Sequence, residues 1–349
     1  MFFLFYYMER MGLKKAKHTF LIVMLVTIIL LVTYTYWHNS HIKIVKQDII
    51  INHLPKELEG YKILQITDLH NKEFGKNQNR LIKSINSIDY DSIVFTGDMV
   101  FNKEIKNYKP FYDLLAGIRN KENAIYVPGN EDPEAYYVNS KGDLVKSKFI
   151  KEIEKRGVKF LESVYSVKKN NSSINFVDFE VSILNPALDY KPTNGIFSPD
   201  YMGTVQYANH REKLLGEISS IDHLKNNDIL IALNHFPVVD ARIDTLLNNQ
   251  NLKFKDRKYD LIIAGHYHGG QIRFPLIGAL FVPEAWYKRN GLFPPQNRVR
   301  GLWEYKHTKQ YVSTGLGSSE AIPGLKFRLF NPPEINVLTL KSSKKNSSN

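Results

Sequence analysis

Five short apolar runs, each followed at once by a polar loop, constrain the fold of this chain more than any other feature. The runs and their loops read KILQITD, SIVFTGD, AIYVPGNED, ILIALNHFP and YDLIIAGHYHGG. Apolar runs of this length, bounded by turn residues, are typical of buried β-strands. Helix-like stretches such as NRLIKSINSI and PFYDLLAGIRN lie between the first of them. Alternating strands and helices predict an α/β fold built on a layered sheet.

Each predicted strand ends in side chains that are suited to binding a metal ion. In open α/β sheets ligands bind beyond the carboxyl ends of the strands, so these side chains are expected to meet. Taken singly, each has an ordinary explanation as a turn or loop residue, but their occurrence at five strand ends predicts a metal site. The candidate ligands are Asp68, His70, Asp98, Asn130, His235, His266 and His268.

The chemistry predicted for this site is hydrolysis. Two divalent ions about 3.5–4 Å apart need a bridging carboxylate, and Asp98, which follows the flexible Gly97, is the natural candidate. Such a pair holds a phosphoryl group and activates water at neutral pH. The chain contains no cysteine, which excludes a thiolate nucleophile and cysteine-bound metals. Because the ligands mix imidazole with carboxylate, the expected cofactors are two divalent ions of Mn, Fe or Zn.

A separate feature near the N-terminus predicts a membrane anchor. Residues 19–37 carry no charged side chain and are long enough to span a bilayer, and aromatic residues end the stretch as in an interfacial belt. A cleaved signal peptide would have a shorter apolar region and a small-residue cleavage site, so an uncleaved helix is favoured. Four basic residues precede it and, by the positive-inside rule, place the catalytic domain outside the cytoplasm: Arg10, Lys14, Lys15 and Lys17. Lys43 and Lys46 on the far side weaken this bias.

The predicted organisation has five parts. They are a short basic cytoplasmic segment (1–18), a transmembrane helix (19–37), a linker or strand (38–53), one catalytic domain (54–340) and a disordered tail (341–349). The tail, KSSKKNSSN from its first lysine, has the composition of a disordered segment.

The motifs ITDLH, FTGD, PGNED, LNHFP and AGHYHGGQ resemble the signature of the calcineurin-like metallophosphoesterases, from about Ile63 to Leu340. The strings GHYHGGQIRFP, YVSTGLGS and NPPEINVLTL are similar to the bacterial, membrane-associated YkuE-like branch. The resemblance implies a four-layer α/β/β/α sandwich. It also implies one metal held by Asp68, His70 and His268, a second held by Asn130, His235 and His266, and Asp98 shared by both.

One departure from the family pattern concerns the predicted catalytic residues. The family normally has, after the Gly-Asn pair, a histidine that contacts the substrate phosphate, whereas here Glu131 and then Asp132 follow Asn130. A carboxylate beside a phosphate is repulsive unless protonated, so Glu131 either serves as a general acid of raised pKa or points elsewhere. The stretch FVDFE also stands where related chains carry a glycine-rich loop.

The function predicted is hydrolysis of a phosphoester or pyrophosphate bond in a phosphorylated small-molecule, lipid-linked or cell-envelope substrate. The resemblance includes UDP-2,3-diacylglucosamine hydrolysis as one substrate class. The alternative is a catalytically weak, metal-containing protein that binds a phosphorylated envelope component, which Glu131 favours. A nucleic-acid enzyme rests only on the net charge of +12, and no nucleic-acid partner is expected.

Overall fold

A long N-terminal helix precedes the folded domain. The structure is a computed structural model that describes residues 13–101, 107–185, 199–248, 254–255, 257–320 and 326–343. Helix α1, Leu13–Ser40, contains the predicted membrane segment and extends it at both ends. Its stretch Lys15–Ser40 is long and apolar enough to cross a membrane, and its apolar side chains are exposed. At ~1.5 Å per residue, α1 is about 42 Å long.

The strands of the described chain form two large sheets and two small hairpins. In chain order they are β1 Lys43–Ile51, β2 Lys62–Ile66, β3 Ser92–Thr96, β4 Ala124–Val127, β5 Tyr136–Val138, β6 Leu144–Lys146, β7 Lys159–Phe160, β8 Val164–Lys169, β9 Ser172–Asp178, β10 Asp228–Leu233, β11 Leu261–Ala264, β12 Arg273–Phe274, β13 Gly278–Ala279, β14 Gly301–Tyr305, β15 Thr308–Val312 and β16 Glu334–Ser342.

Each large sheet has six strands, in the orders β1-β16-β2-β3-β4-β7 and β14-β15-β11-β10-β9-β8. The first is parallel except between β16 and β2, and the second is parallel from β15 to β9 with antiparallel edges. The hairpins are β5-β6 and β12-β13. All five apolar runs singled out in the sequence form parallel strands, β2, β3 and β4 in one sheet and β10 and β11 in the other.

Helices cover the outer face of each large sheet. After α1 they are α2 Asn79–Asn86, α3 Lys109–Gly117, α4 Lys148–Lys155, α5 Phe179–Ser182, α6 Val205–Ile218 and α7 Asp240–Leu247. Buried residues of α2, α3 and α4 pack with those of the first sheet, and buried residues of α5, α6 and α7 pack with those of the second. The predicted four-layer α/β/β/α arrangement is confirmed.

The strands are almost continuously apolar because both faces are buried. In β3, Val94 packs between the two sheets whereas Ile93 and Phe95 pack under the helices. In β10, Ile231 faces the other sheet and Leu230 faces the helices. This alternation fixes the register of each strand and therefore the loop residues that emerge at its end.

The first sheet extends beyond the range 54–340 assigned to the catalytic domain. β1 pairs with β16 along its whole length, from Lys43 opposite Glu334 to Ile51 opposite Ser342. The segment between anchor and domain is thus an edge strand, and β16 includes the first two residues assigned to the tail. The tail from residue 344 onward and the basic segment before residue 13 lie outside the described residues.

Candidate metal centre

The loops after β2, β3, β4, β10 and β11 meet at one end of the sandwich. The backbone N–H of Asp68 donates to the carbonyl of Gly97 at 3.0 Å, and that of His70 donates to the carbonyl of Asp98 at 3.0 Å. Between the sheets, the N–H of His266 donates to the carboxylate of Asp68 at 3.1 Å. These bonds hold loops from both sheets around one buried pocket of polar side chains.

One group of candidate ligands consists of Asp68, His70 and His268. Their ligand atoms lie within 4.8 Å of one another, and all three residues are buried. The Nε2 atoms of His70 and His268 are 3.1 Å apart, and Nε2 of His268 is 3.5 Å from Oδ1 of Asp68. Nitrogen and oxygen lone pairs therefore converge on one point.

A second group consists of Asp98, His235 and His266, whose ligand atoms also lie within 4.8 Å of one another. Nε2 of His235 is 3.1 Å from Nδ1 of His266 and 3.2 Å from Oδ2 of Asp98. The Asp98 carboxylate also faces the first group, because its Oδ2 lies 3.5 Å from Nε2 of His70. One carboxylate oxygen thus stands between the two groups.

Asn130 presents an unused acceptor among these side chains. Its Oδ1 is buried and has no hydrogen-bond partner among the described residues. Its Nδ2 donates to Oε1 of Glu131 at 3.4 Å, which fixes which end of the amide is left over. Both neighbours of Asn130 lie against the Asp98 carboxylate, Gly129 in close contact and Glu131 through its N–H at 2.9 Å. A buried amide oxygen without a partner at this place is available as a metal ligand.

Most of the candidate ligands have a strained backbone conformation. Five of the seven candidate ligands have positive φ, a conformation that costs energy for residues other than glycine. They are Asp68 (52°), His70 (46°), Asp98 (53°), His266 (67°) and His268 (49°). Glycines make room for them: a Cβ at Gly97 would lie 2.6 Å from Nδ1 of His235, and one at Gly129 would collide with Oδ1 of Asp98.

Backbone carbonyls orient two of the imidazoles. Nδ1–H of His235 donates to the carbonyl of Thr96 at 2.8 Å, so Nε2 is the atom left to face Asp98. Nε2–H of His266 donates to the carbonyl of Pro283 at 3.3 Å, which leaves Nδ1 facing His235. Such bonds to the far nitrogen fix the tautomer and ring orientation of metal-binding histidines.

The candidate ligands differ in their protonation without metal. Burial lowers the pKa of His70 to about 4 and that of His266 to about 3, and it lowers the pKa of His268 well below the usual value. For Asp98, burial acts to raise the pKa, but the neighbouring His235 outweighs it and keeps that carboxyl ionised. The imidazoles of His70, His266 and His268 are therefore neutral at pH 7, the form that coordinates metals. For His235, burial acts to lower the pKa, but Asp98 outweighs it and raises the pKa to about 9, and burial raises the pKa of Asp68 to about 7. An ion bound beside His235 and Asp68 would take the place of their protons.

The residues present therefore fit divalent ions. The 3.1 Å separations of imidazole nitrogens match two ligands sharing an ion at ~2.0–2.1 Å from each nitrogen. The mixture of nitrogen and oxygen donors suits Mn, Fe or Zn better than an all-oxygen ion such as Ca.

The two predicted catalytic residues lie in different surroundings. Glu131 is half-buried beside the pocket, and its backbone N–H donates to Oδ1 of Asp98 at 2.9 Å. Asp132 is buried, and its carboxylate accepts from the N–H of Gly129 at 3.0 Å, the N–H of Val100 at 2.9 Å and the hydroxyl of Tyr126 at 2.9 Å. Asp132 thus fixes the loop that carries Asn130.

Arg328 holds together the loops around His268, and no sequence motif indicated this role. It is fully buried, and its guanidinium donates to the carbonyl oxygens of Gly317 at 2.6 Å, Thr314 at 2.6 Å, Asn331 at 2.9 Å and His268 at 3.3 Å. A buried arginine bonded only to carbonyls is visible only once the loops are folded. Pro283, which binds His266, was missed for the same reason.

Three further polar side chains make hydrogen bonds that the sequence did not indicate. FVDFE ends β9 and starts α5, where the Asp178 carboxylate accepts from the N–H of Val181 at 2.8 Å. In the segment after β13, Glu284 is buried and accepts from the hydroxyl of Tyr267 at 2.5 Å. The guanidinium of Arg273 donates to the carbonyl of Gly269 at 2.5 Å.

Comparison with known proteins gives a consistent set of similarities. A family model described as "Calcineurin-like phosphoesterase" matches residues 61–270. The chain is 25% identical over 299 residues to the metallophosphoesterase YkuE of Bacillus subtilis (strain 168), which covers 83% of this chain and 82% of that protein.

Two other relatives are similar over most of their length. Over 301 residues the chain is 24% identical to UDP-2,3-diacylglucosamine pyrophosphatase LpxG of Chlamydia muridarum (strain MoPn / Nigg), with 82% of this chain and 86% of that protein covered. Over 321 residues it is 26% identical to the metallophosphoesterase YkoQ of Bacillus subtilis (strain 168), with 90% and 98% covered.

Proposed function

The chain belongs to the calcineurin-like phosphoesterase family and is a hydrolase acting on phosphoester bonds, and from this we propose that it uses two divalent ions for hydrolysis. We further propose that it is anchored in a membrane and that its substrate is a phosphorylated, lipid-linked or cell-envelope compound. The predicted resemblance to the superfamily and to its YkuE-like branch is confirmed. The observation that carries the two-ion proposal is the position of Asp98, whose Oδ2 is 3.5 Å from His70 in one ligand group and 3.2 Å from His235 in the other.

The ligand assignment follows the two groups. Asp68, His70 and His268 would hold one ion, and His235, His266 and Asn130 the other, with Asp98 common to both. When bound there, the ions supply water activation and neutralise charge on the phosphoryl oxygens. The chain itself holds the ligands in place before substrate arrives, through the strained loops and the carbonyls of Thr96 and Pro283.

Glu131 is proposed as the group that protonates the leaving oxygen. It is attached to the site through the bond from its own N–H to Asp98, and its side chain is half-buried at the edge of the pocket. A carboxyl in such a place can carry a proton into the reaction, which contributes ~10²–10⁴-fold in typical enzymes. Asp132, with three donors on its carboxylate, is proposed to position the Asn130 loop.

A lipid-linked substrate is supported by the anchor and by one relative. The helix Lys15–Ser40 is apolar and exposed, and it keeps the domain beside a bilayer if it spans one. The relative LpxG is named for pyrophosphatase action on UDP-2,3-diacylglucosamine, so that compound is one substrate class to test. The basic residues before the charge-free stretch 19–37 favour a catalytic domain outside the cytoplasm.

The experiment is hydrolysis by the full chain in lipid nanodiscs. Bis-p-nitrophenyl phosphate, p-nitrophenyl phosphate and UDP-2,3-diacylglucosamine are each assayed with Mn²⁺ and with EDTA. We expect at least one of these substrates to be hydrolysed with Mn²⁺ and not with EDTA. Metal-loaded protein that binds phosphate and turns over none of them would instead support the binding-only alternative, in which Glu131 repels the reacting phosphate.

A further inference from the structure

We propose that the cleft between helix α1 and the metal centre binds the hydrocarbon chain of a lipid whose phosphorylated head is the substrate, so that the anchor forms a wall of the substrate site. This inference rests on the proposed function and adds a chain-binding subsite to it. The cleft has a volume of about 720 Å³ and reaches from His70 to Leu31 and Val32 of α1. Ligand sites typically measure ~300–1,000 Å³.

The two ends of the cleft differ in chemistry. At the end near the metal centre it is lined by His70, Asn71, Lys72 and Lys326. Two lysine side chains beside a candidate metal ligand can donate hydrogen bonds to the oxygens of a phosphorylated head group. The Oδ1 of Asn71 is buried there without a hydrogen-bond partner among the described residues, so an acceptor is available for a hydroxyl or amide of the head group.

The far end is apolar. Leu31 and Val32 of α1 face Phe327 and Leu329 of the domain across it. Leu31 remains 42% exposed and Phe327 37% exposed, so the walls of the cleft do not fill it. Apolar surface that stays open next to a charged pocket is matched by a ligand that is polar at one end and hydrocarbon at the other.

The cleft wall is held in place by direct bonds between α1 and the domain. The side-chain amide of Asn39 donates to the carbonyl of Arg328 at 2.7 Å and accepts from its N–H at 3.2 Å. The rings of Tyr34 and Phe330 are 5.4 Å apart. Because Arg328 also supports the loop of His268, the anchor and the metal centre share one rigid connection.

The position of the cleft along α1 matches the level of lipid head groups. Tyr34, Tyr36 and Trp37 lie on the same turns as the cleft residues, and such aromatic residues mark the interface between hydrocarbon and water. A lipid in the leaflet on this side would have its head group near the domain and its chain beside α1. It would reach the site without leaving the membrane.

The test compares two adjacent residues of α1, one that lines the cleft and one that does not. Leu31 lines the cleft, whereas Leu30 does not and is 64% exposed. Full-length Leu31→Trp and Leu30→Trp proteins add the same bulky side chain, one inside the cleft and one on the helix surface. Binding of methylphosphonate and octylphosphonate to each Mn²⁺-loaded protein in phosphatidylcholine nanodiscs is measured by calorimetry.

The expected result is a chain-length preference that only the cleft variant loses. Wild type and Leu30→Trp bind octylphosphonate more than about tenfold tighter than methylphosphonate, since each buried CH₂ adds up to about fourfold. In Leu31→Trp the preference falls at least about fivefold. Equal affinity for the two ligands in wild type, no binding of either, or the same preference in both variants overturns the inference.

Failure of the proposed function is a separate result. If octylphosphonate binds with the expected preference but no substrate is hydrolysed with metal, the subsite stands and the hydrolase proposal falls. If substrates are hydrolysed but chain length has no effect on binding, the hydrolase stands and the subsite falls.

Discussion

Asn39 and Arg328 exchange two hydrogen bonds, one in each direction, and thereby join the anchor helix to the loop beneath the metal centre. The amide Nδ2 of Asn39 donates to the carbonyl of Arg328 at 2.7 Å, and the N–H of Arg328 donates to Oδ1 of Asn39 at 3.2 Å. The guanidinium of the same arginine donates to the carbonyl of His268 at 3.3 Å. Anchor and ligand loop are thus one connected unit.

Replacing Asn39 with leucine is expected to lower the free energy of unfolding by about 1–3 kcal/mol, because the partly buried backbone groups of Arg328 lose both partners. Thermal unfolding of the full chain in nanodiscs measures this. Ser40→Ala is the matched control, since the Ser40 hydroxyl bonds to sequence neighbours, the carbonyl of Trp37 at 2.7 Å and Nδ1 of His41 at 3.3 Å, and not to the rest of the domain as described. Equal stability of the two variants would show that the Asn39 bonds contribute nothing.

Arg328→Lys keeps the positive charge but cannot reach four carbonyl oxygens at once. We expect affinity for Mn²⁺ to fall by about 10–100-fold, as is typical when groups that orient metal ligands are lost. Metal titration of the metal-free protein measures it. Arg298→Lys changes an arginine paired with Asp240, away from the ligand loops, and is expected to leave metal affinity unchanged.

Glu131→Gln is expected to slow cleavage of substrates with alkyl leaving groups far more than cleavage of p-nitrophenyl esters. A poor leaving group needs a proton, whereas p-nitrophenolate does not, and general acids contribute ~10²–10⁴-fold. The measurement is kcat for a matched pair of esters that differ only in the leaving group.

Asp132→Asn provides the contrast, because Asp132 is bonded to Gly129, Val100 and Tyr126. Loosening the Asn130 loop is expected to slow both esters by a similar factor. If Glu131→Gln behaves in this uniform way too, Glu131 is not the acid.

Lys326→Gln is expected to raise KM for anionic substrates by about tenfold with a smaller change in kcat. The Lys326 ammonium lies 3.0 Å from the centroid of the Phe101 ring in the cleft, and its charge acts on both His70 and Glu131. Removing one cation weakens attraction of a phosphate before and during reaction alike. Lys213→Gln, a mostly exposed lysine on α6, serves as control. An unchanged KM in Lys326→Gln would exclude a phosphate contact.

The strands and candidate ligands were predictable because they depend on local pattern. Ile93, Val94 and Phe95 belong to an apolar run that predicts a buried strand without knowledge of distant residues, and Asp98 follows at its end. Asp-x-His and His-x-His spacing indicated ligands before any distance was known. The length of α1 was also largely visible, as an uninterrupted apolar stretch.

Other features depend on contacts between distant residues and leave no local signal. Arg328 has the sequence appearance of a surface arginine, yet it is fully buried under loops from three parts of the chain. Pairing of β1 with β16 joins residues almost 300 positions apart, so the boundary at residue 54 could not include it. The cleft between Leu31 and Phe327 requires the direction of α1, which Asn39 sets only in the folded molecule.

Asp98 is proposed to join two metal sites, and the metal content of the protein measures whether it does. Full-length wild type and Asp98→Asn are loaded with Mn²⁺, freed of excess metal, and analysed by mass spectrometry of the elements together with hydrolysis of bis-p-nitrophenyl phosphate. We expect two ions per wild-type chain, fewer in Asp98→Asn, and loss of metal-dependent turnover in that variant. One ion per wild-type chain, with the same content and turnover in Asp98→Asn, would show that Asp98 does not join two metal sites.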